Sequence, residues 1–86
     1  MFEENLTIKN KTGLHARPAS DLVSLAQTFS SKIRIRYGER TVDPKSIISL
    51  LSGGVKQGAE IELTAEGDDE QRAGRAIADF INALEE

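Results

Sequence analysis

The segment Gly13-Leu14-His15-Ala16-Arg17-Pro18-Ala19 holds the only histidine of the chain, with an arginine two residues on and a proline directly after it. Proline has the fixed φ suited to a helix's first turn, so His15 and Arg17 stand where a helix begins. A helix start presents unpaired backbone N–H groups and the positive end of the macrodipole, a receptive place for a phosphate or another anion. Arg17 adds a permanent charge and a fork of donors to the same spot. These surroundings disfavour a second positive charge on the imidazole, which leaves a ring nitrogen with a free lone pair. Such an imidazole is a nucleophile. If it attacks a phosphoryl group, the product's oxygens lie beside the helix-start donors and Arg17, which stabilise them without a metal. On chemistry alone the segment handles phosphoryl groups or other anions, and an incidental histidine beside a solvated arginine is an equal alternative.

The elements around this segment follow from periodicity. Phe2, Leu6 and Ile8 share one side of a strand over 2–8, with Glu4 as the polar exception on that side. Pro18, Ala19, Leu22, Val23, Ala26 and Phe29 lie at helical spacing, which predicts a helix over about 17–28 closed by Ser30-Ser31. Ile33, Ile35 and Tyr37 alternate with Lys32, Arg34 and Arg36; Gly38-Glu39 then turns the chain into a short return strand, Arg40-Thr41-Val42. After Asp43-Pro44, the Ser46 hydroxyl can cap a short helix carrying Ile47, Ile48, Leu50 and Leu51, which Gly53-Gly54 would stop. A helix that short holds only if it is packed. Ile61, Leu63 and Ala65 alternate with four polar residues in a further strand, and Asp68-Asp69-Glu70 offers carboxylates to the N–H groups of a last helix striped with Ala73, Ile77, Phe80, Ile81 and Leu84. Gly74 weakens that helix by about 1 kcal/mol relative to Ala. Strands with one polar face and amphipathic helices among them imply an α/β (α+β) open-faced two-layer sandwich, with all helices on the apolar side of a largely antiparallel sheet.

Composition narrows the function. The 86 residues contain no Cys, which excludes disulfides, thiolate nucleophiles, Cys-ligated zinc and iron–sulfur clusters; one His excludes a multi-His metal site. No apolar run approaches the roughly 18 residues of a membrane span, and the acidic start is the wrong charge for a signal peptide, so the expected compartment is the cytoplasm. The net charge of −3 is polarised: residues 1–56 hold nine Lys/Arg against five Asp/Glu, and residues 57–86 hold two against nine. A basic half without a Lys/Arg run or interleaved aromatics is a poor nucleic-acid footprint and fits acidic protein partners better.

Two segments carry a family resemblance. Gly13-Leu14-His15-Ala16-Arg17-Pro18-Ala19 resembles the active-site signature of HPr, the histidine-containing phosphocarrier family of the bacterial phosphoenolpyruvate-dependent sugar phosphotransferase system. Lys45-Ser46-Ile47, followed by Leu50, Leu51 and Ser52, resembles that family's second signature, around a regulatory serine. The length, the gap between signatures, Lys56-Gln57-Gly58-Ala59-Glu60 and Glu66-Gly67-Asp68-Asp69-Glu70 fit as well, so the resemblance spans residues 1–86 as a single HPr-like domain.

The resemblance implies a phosphoryl carrier rather than an enzyme, with no cofactor and no metal. His15 would take a phosphoryl group on Nδ1 from phosphorylated Enzyme I and pass it to sugar-specific EIIA domains, with Arg17 steadying it. It also implies a four-stranded antiparallel sheet in the order 1-4-2-3 with three helices on one face, and a monomer. The partner surface would comprise Ala16, Ile47, Ile48 and Leu51, of which at least one of the last three is expected in the core. Ser46 would be a regulatory phosphorylation site, served by a serine kinase/phosphorylase and read by a transcription regulator. No nucleic acid and no membrane insertion are implied. Ile48 stands where Met is frequent in the family, Ser49 where Gly is frequent and Gly53 where a large apolar residue is usual; these departures bear on partner choice and kinase recognition, not on His15. Asp21, near the basic centre, lowers its appeal to acidic partners. Two other readings stand beside the sugar carrier: a nitrogen-branch phosphotransferase carrier using the same histidine, and a regulatory binding module controlled at Ser46.

Overall fold

Alternating side chains become strands only where a second layer covers their apolar face, and here three helices supply that layer. The structure is a computed structural model describing residues 1–85. In chain order it has β1 (Phe2–Thr7), α1 (Ala16–Ala26), β2 (Lys32–Tyr37), β3 (Arg40–Val42), α2 (Ile47–Gly53), β4 (Glu60–Glu66) and α3 (Glu70–Asn82). The sheet order is β1-β4-β2-β3, antiparallel throughout. Phe2 pairs with Ala65 and Leu6 with Ile61 across β1 and β4, while Ile33 pairs with Ala65 and Ile35 with Leu63 across β2 and β4. These registers put the inward residues of the three long strands, Glu4 excepted, in one apolar layer. Leu22 and Ala26 of α1, Leu50 of α2 and Ala73, Ile77 and Ile81 of α3 close over it, and all are buried.

The polar exception Glu4 is resolved by α3. Arg75 donates from Nη2 to Glu4 Oε2 at 2.9 Å, holds Asp79 Oδ1 through Nε at 3.2 Å, and lies over the Phe2 ring at 5.8 Å from its centroid. Gly74, which costs helix propensity, is where α3 approaches β1: a Cβ there would overlap the Phe2 ring. Gly53 serves α2 in the same way, since its Cβ would stand 2.5 Å from Val42 Cγ2 of β3, so the large apolar residue usual in the family has no room here.

Three local expectations are corrected. Helix α1 begins at Ala16 and ends at Ala26 instead of running over 17–28, because Thr28 donates both its N–H and its hydroxyl to the Leu25 carbonyl and turns the chain. Gly53 belongs to α2, and the left-handed cap is Gly54 alone, at φ 68°. The Asp69 carboxylate does not cap α3: it accepts from the Ser30 and Ser31 N–H groups, each at 2.9 Å, and from the Ser31 hydroxyl. Entry to α3 is secured instead by Glu70, which accepts from the Gly67 N–H at 3.2 Å and pairs with the N-terminal ammonium at 2.6 Å.

Candidate functional site

His15 is placed by its neighbours in sequence. Leu14 on one side and Pro18 on the other are fully buried, so the turn between them is pinned at both ends. The loop before it is tight: Asn10 accepts at its carbonyl from the Gly13 N–H at 3.2 Å and donates from Nδ2 to the Gly13 carbonyl at 2.9 Å. The Leu14 N–H donates to Val55 O at 3.0 Å, and Gly13, at φ 63°, lies so close to this segment that a Cβ would stand 2.5 Å from Val55 O. Only glycine meets both demands. The loop is thereby fastened to the connection between α2 and β4.

His15 is the N-cap of α1, in extended conformation at φ −127° and ψ 169°, and it makes no side-chain cap hydrogen bond. His15 is half-buried, and its side chain has no hydrogen-bond partner among the described residues. Pro18 carries no N–H, which leaves the Ala16 and Arg17 amides as the open donors of this helix start. Ala16 has φ 56°, the only positive φ of a non-glycine residue among the described residues. A left-handed alanine costs of order 1 kcal/mol and persists where the surroundings over-determine it, as the buried Leu14 and Pro18 do here. It turns the chain sharply between His15 and Arg17. Nothing in the sequence signalled this kink, since alanine has no preference for positive φ.

Arg17 is exposed, and its Nε stands 3.8 Å from Asp21 Oδ2. Asp21 is the sixth residue of α1, beyond the first turn, so its partner is Arg17 and not the helix dipole. The i,i+4 spacing of the two charges was the sequence signal for that pair.

Helix α2 packs against α1 and β3. Its N-cap is Ser46, whose hydroxyl accepts from the Ser49 N–H at 3.2 Å, as the sequence predicts. Ser49, at the position where the family often has Gly, accepts from the Asp43 N–H at 2.8 Å and so ties α2 to the end of β3. The Lys45 ammonium donates to the Phe29 carbonyl at 2.7 Å, and Gln27 Nε2 donates to the Lys45 carbonyl at 3.1 Å, which joins this cap to the end of α1. Ile47, Ile48 and Leu51 are 39%, 74% and 47% exposed, so the expectation that one of them is core is wrong. Leu50 takes the inward position, and Gly53 brings the helix so close to Val42 that no further side chain fits beneath it. Ala16 is exposed as well.

Among the described residues no three His, Cys, Asp or Glu side chains cluster closely enough to hold a metal ion, and no helix is long and apolar enough to cross a membrane. The site brings together a half-buried imidazole at a helix start, an exposed arginine and exposed apolar residues on a neighbouring helix. Residues 2–83 match the model of the PTS HPr component phosphorylation site, and the chain belongs to the HPr family of phosphotransferase-system phosphocarriers. HPr of Thermoanaerobacter tengcongensis is 48% identical over 96% of this chain and 93% of that one, with a TM-score of 0.93. HPr of Bacillus anthracis is 34% identical over 93% and 95% of the two chains, with a TM-score of 0.88. Crh, the Bacillus subtilis catabolite repression HPr, is 36% identical over 95% and 94%, with a TM-score of 0.75, in a structure described as a swapped dimer. The family consists of phosphocarriers that work with phosphotransferase components and not of classical enzymes.

Proposed function

We propose that the chain, as one HPr-like domain, takes a phosphoryl group from phosphorylated Enzyme I onto Nδ1 of His15 and delivers it to sugar-specific EIIA domains. The observation that carries this reading is the free imidazole at the N-cap of α1, beside the open amides of Ala16 and Arg17. The ring nitrogen's lone pair forms the new N–P bond as the bond to the donor breaks, and that bond's electron pair leaves with the donor. The helix-start amides and the Arg17 guanidinium then face the phosphoryl oxygens, which favours the phosphorylated state without a metal. Ala16, Ile47, Ile48 and Leu51 form the surface that a partner covers, because they are exposed on two helices packed together. The family's chemistry, fed by phosphoenolpyruvate, fits a cytoplasmic protein acting as a monomer.

Incubation with phosphoenolpyruvate, Mg²⁺ and Enzyme I is expected to give one acid-labile, base-stable phosphoryl group, which EIIA domains then remove. His15→Ala is expected to stay folded and unlabelled. Labelling of that variant overturns the reading, and labelling only by a nitrogen-branch Enzyme I moves the protein to that branch.

Ser46 supports a second level of control. Its hydroxyl accepts the Ser49 N–H at the start of α2 and is flanked by the exposed Ile47 and Ile48, so a phosphate there would keep the cap while charging the docking face. This is the feature through which a serine kinase/phosphorylase and a transcription regulator would act.

A further inference from the structure

Arg17 and Asp21 are the only charged residues of α1, and each is the other's partner: Nε to Oδ2 is 3.8 Å, with side chains 79% and 58% exposed. Residues four apart on a helix stand one above the other, so Asp21 lies about 6 Å further along the axis than Arg17. His15 lies at the opposite end, at the N-cap. A guanidinium drawn to Asp21 is therefore drawn down the helix, away from the place where a phosphoryl group on His15 would sit. The two anions compete for one cation.

We propose that Asp21 is a positioning residue that restrains phosphoryl transfer by holding Arg17 away from His15 in the unphosphorylated protein. This rests on the roles of His15 and Arg17 proposed above. Loading His15 exchanges the Arg17–Asp21 pair for an Arg17–phosphoryl pair, and unloading restores it. An interaction made only in the unphosphorylated state stabilises that state, so Asp21 lowers the yield of phosphohistidine and favours passing the group on. A carboxylate left without its cation also opposes the incoming phosphoryl charge through the same residue, because Arg17 can neutralise one of them at a time. The size of the effect is that of an exposed i,i+4 pair, about two-fold in the equilibrium.

The test measures the equilibrium of phosphoryl exchange between Enzyme I and the full chain for the wild type, Asp21→Asn, Asp21→Glu, Arg17→Ala and the double variant Arg17→Ala/Asp21→Asn. Asp21→Asn is expected to raise the phosphohistidine yield about two-fold, and Asp21→Glu, which keeps the charge, is expected to remain close to the wild type. The gain is expected to vanish near 1 M salt, where screening acts over about 3 Å. In the Arg17→Ala background, Asp21→Asn is expected to change nothing. A wild-type yield in Asp21→Asn overturns the inference, as does an equal gain with Arg17 absent, which assigns the effect to direct repulsion. If the wild-type protein takes no label at all, the proposed function falls and this inference falls with it.

Discussion

Replacing Ser46 by Asp separates a structural cap from a regulatory site, because the two roles respond in opposite directions. The Ser46 hydroxyl accepts the Ser49 N–H at 3.2 Å at the head of a seven-residue helix, too short to stand alone. Ser46→Ala removes that acceptor and is expected to cost about 1 kcal/mol, a fall in Tm of roughly 4–8 °C for a domain of this size. Ser46→Asp keeps an acceptor in place and adds a charge that the helix start favours by about 0.3–1 kcal/mol. A helix of two turns supports the lower part of that range, so Ser46→Asp is expected to be as stable as the wild type or slightly more so. Transfer responds the other way. The added charge sits beside Ile47, Ile48 and Leu51, the exposed apolar face of α2, and a partner covering that face must strip its water. A penalty of about 1.4–2.8 kcal/mol on the complex weakens binding roughly ten- to hundred-fold, and phosphoserine, at about −1.5 to −2 charges, goes further. The assay pairs thermal unfolding with the rate of phosphorylation by Enzyme I over a range of carrier concentrations. Transfer at the wild-type rate in Ser46→Asp would refute the regulatory role. Stability as low as that of Ser46→Ala would refute the cap argument.

Three further outcomes follow from the geometry. Arg17→Ala is expected to change Tm little, since the Arg17–Asp21 pair is exposed, yet to slow phosphorylation by about ten-fold or more, with Arg17→Glu slower still; steady-state transfer assays check both. Gly74→Ala gains about 1 kcal/mol of helix propensity but overpacks Phe2 at about 1–3 kcal/mol, so urea unfolding is expected to show a net loss of about 1 kcal/mol that Phe2→Leu in the same chain reduces. The Ser31 hydroxyl, and then the Ser30 and Ser31 N–H groups, hold the Asp69 carboxyl down to about 2 from its ordinary 3.8, so the folded state binds its proton later than the unfolded chain. That contribution to stability is complete above about pH 4 and is lost as pH falls toward 2. Urea unfolding between pH 5 and 2 is expected to show a shallower loss in Ser31→Ala than in the wild type, and an identical slope would exclude the tether.

Local periodicity determined most of the fold. Ile33, Ile35 and Tyr37, or Ile61, Leu63 and Ala65, have one arrangement that buries them together, and their polar neighbours then form the open face. Pro18 and the residues around it were enough to place His15 and Arg17 at a helix start, and Ser46 before an apolar run was enough to make it a cap. The strand order came from the family signatures, since alternation says which side of a strand is buried but not which strand lies beside it.

Tertiary contact decided what depends on partners distant in the chain. Gly74 reads as helix weakness and Gly53 as a helix stop in sequence, and only the approach of Phe2 and Val42 shows that a side chain would not fit. Asp69 reads as a helix cap, and the chain ends it instead on Ser30 and Ser31, because the start of β2 brings free N–H groups beside it. Ile47, Ile48 and Leu51 read as partly core until Leu50 and Gly53 are seen to fill the whole contact of α2 with the sheet. The left-handed turn at Ala16 has no local cause at all: two buried anchors, Leu14 and Pro18, fix the path between them, and the backbone takes the strain beside the histidine.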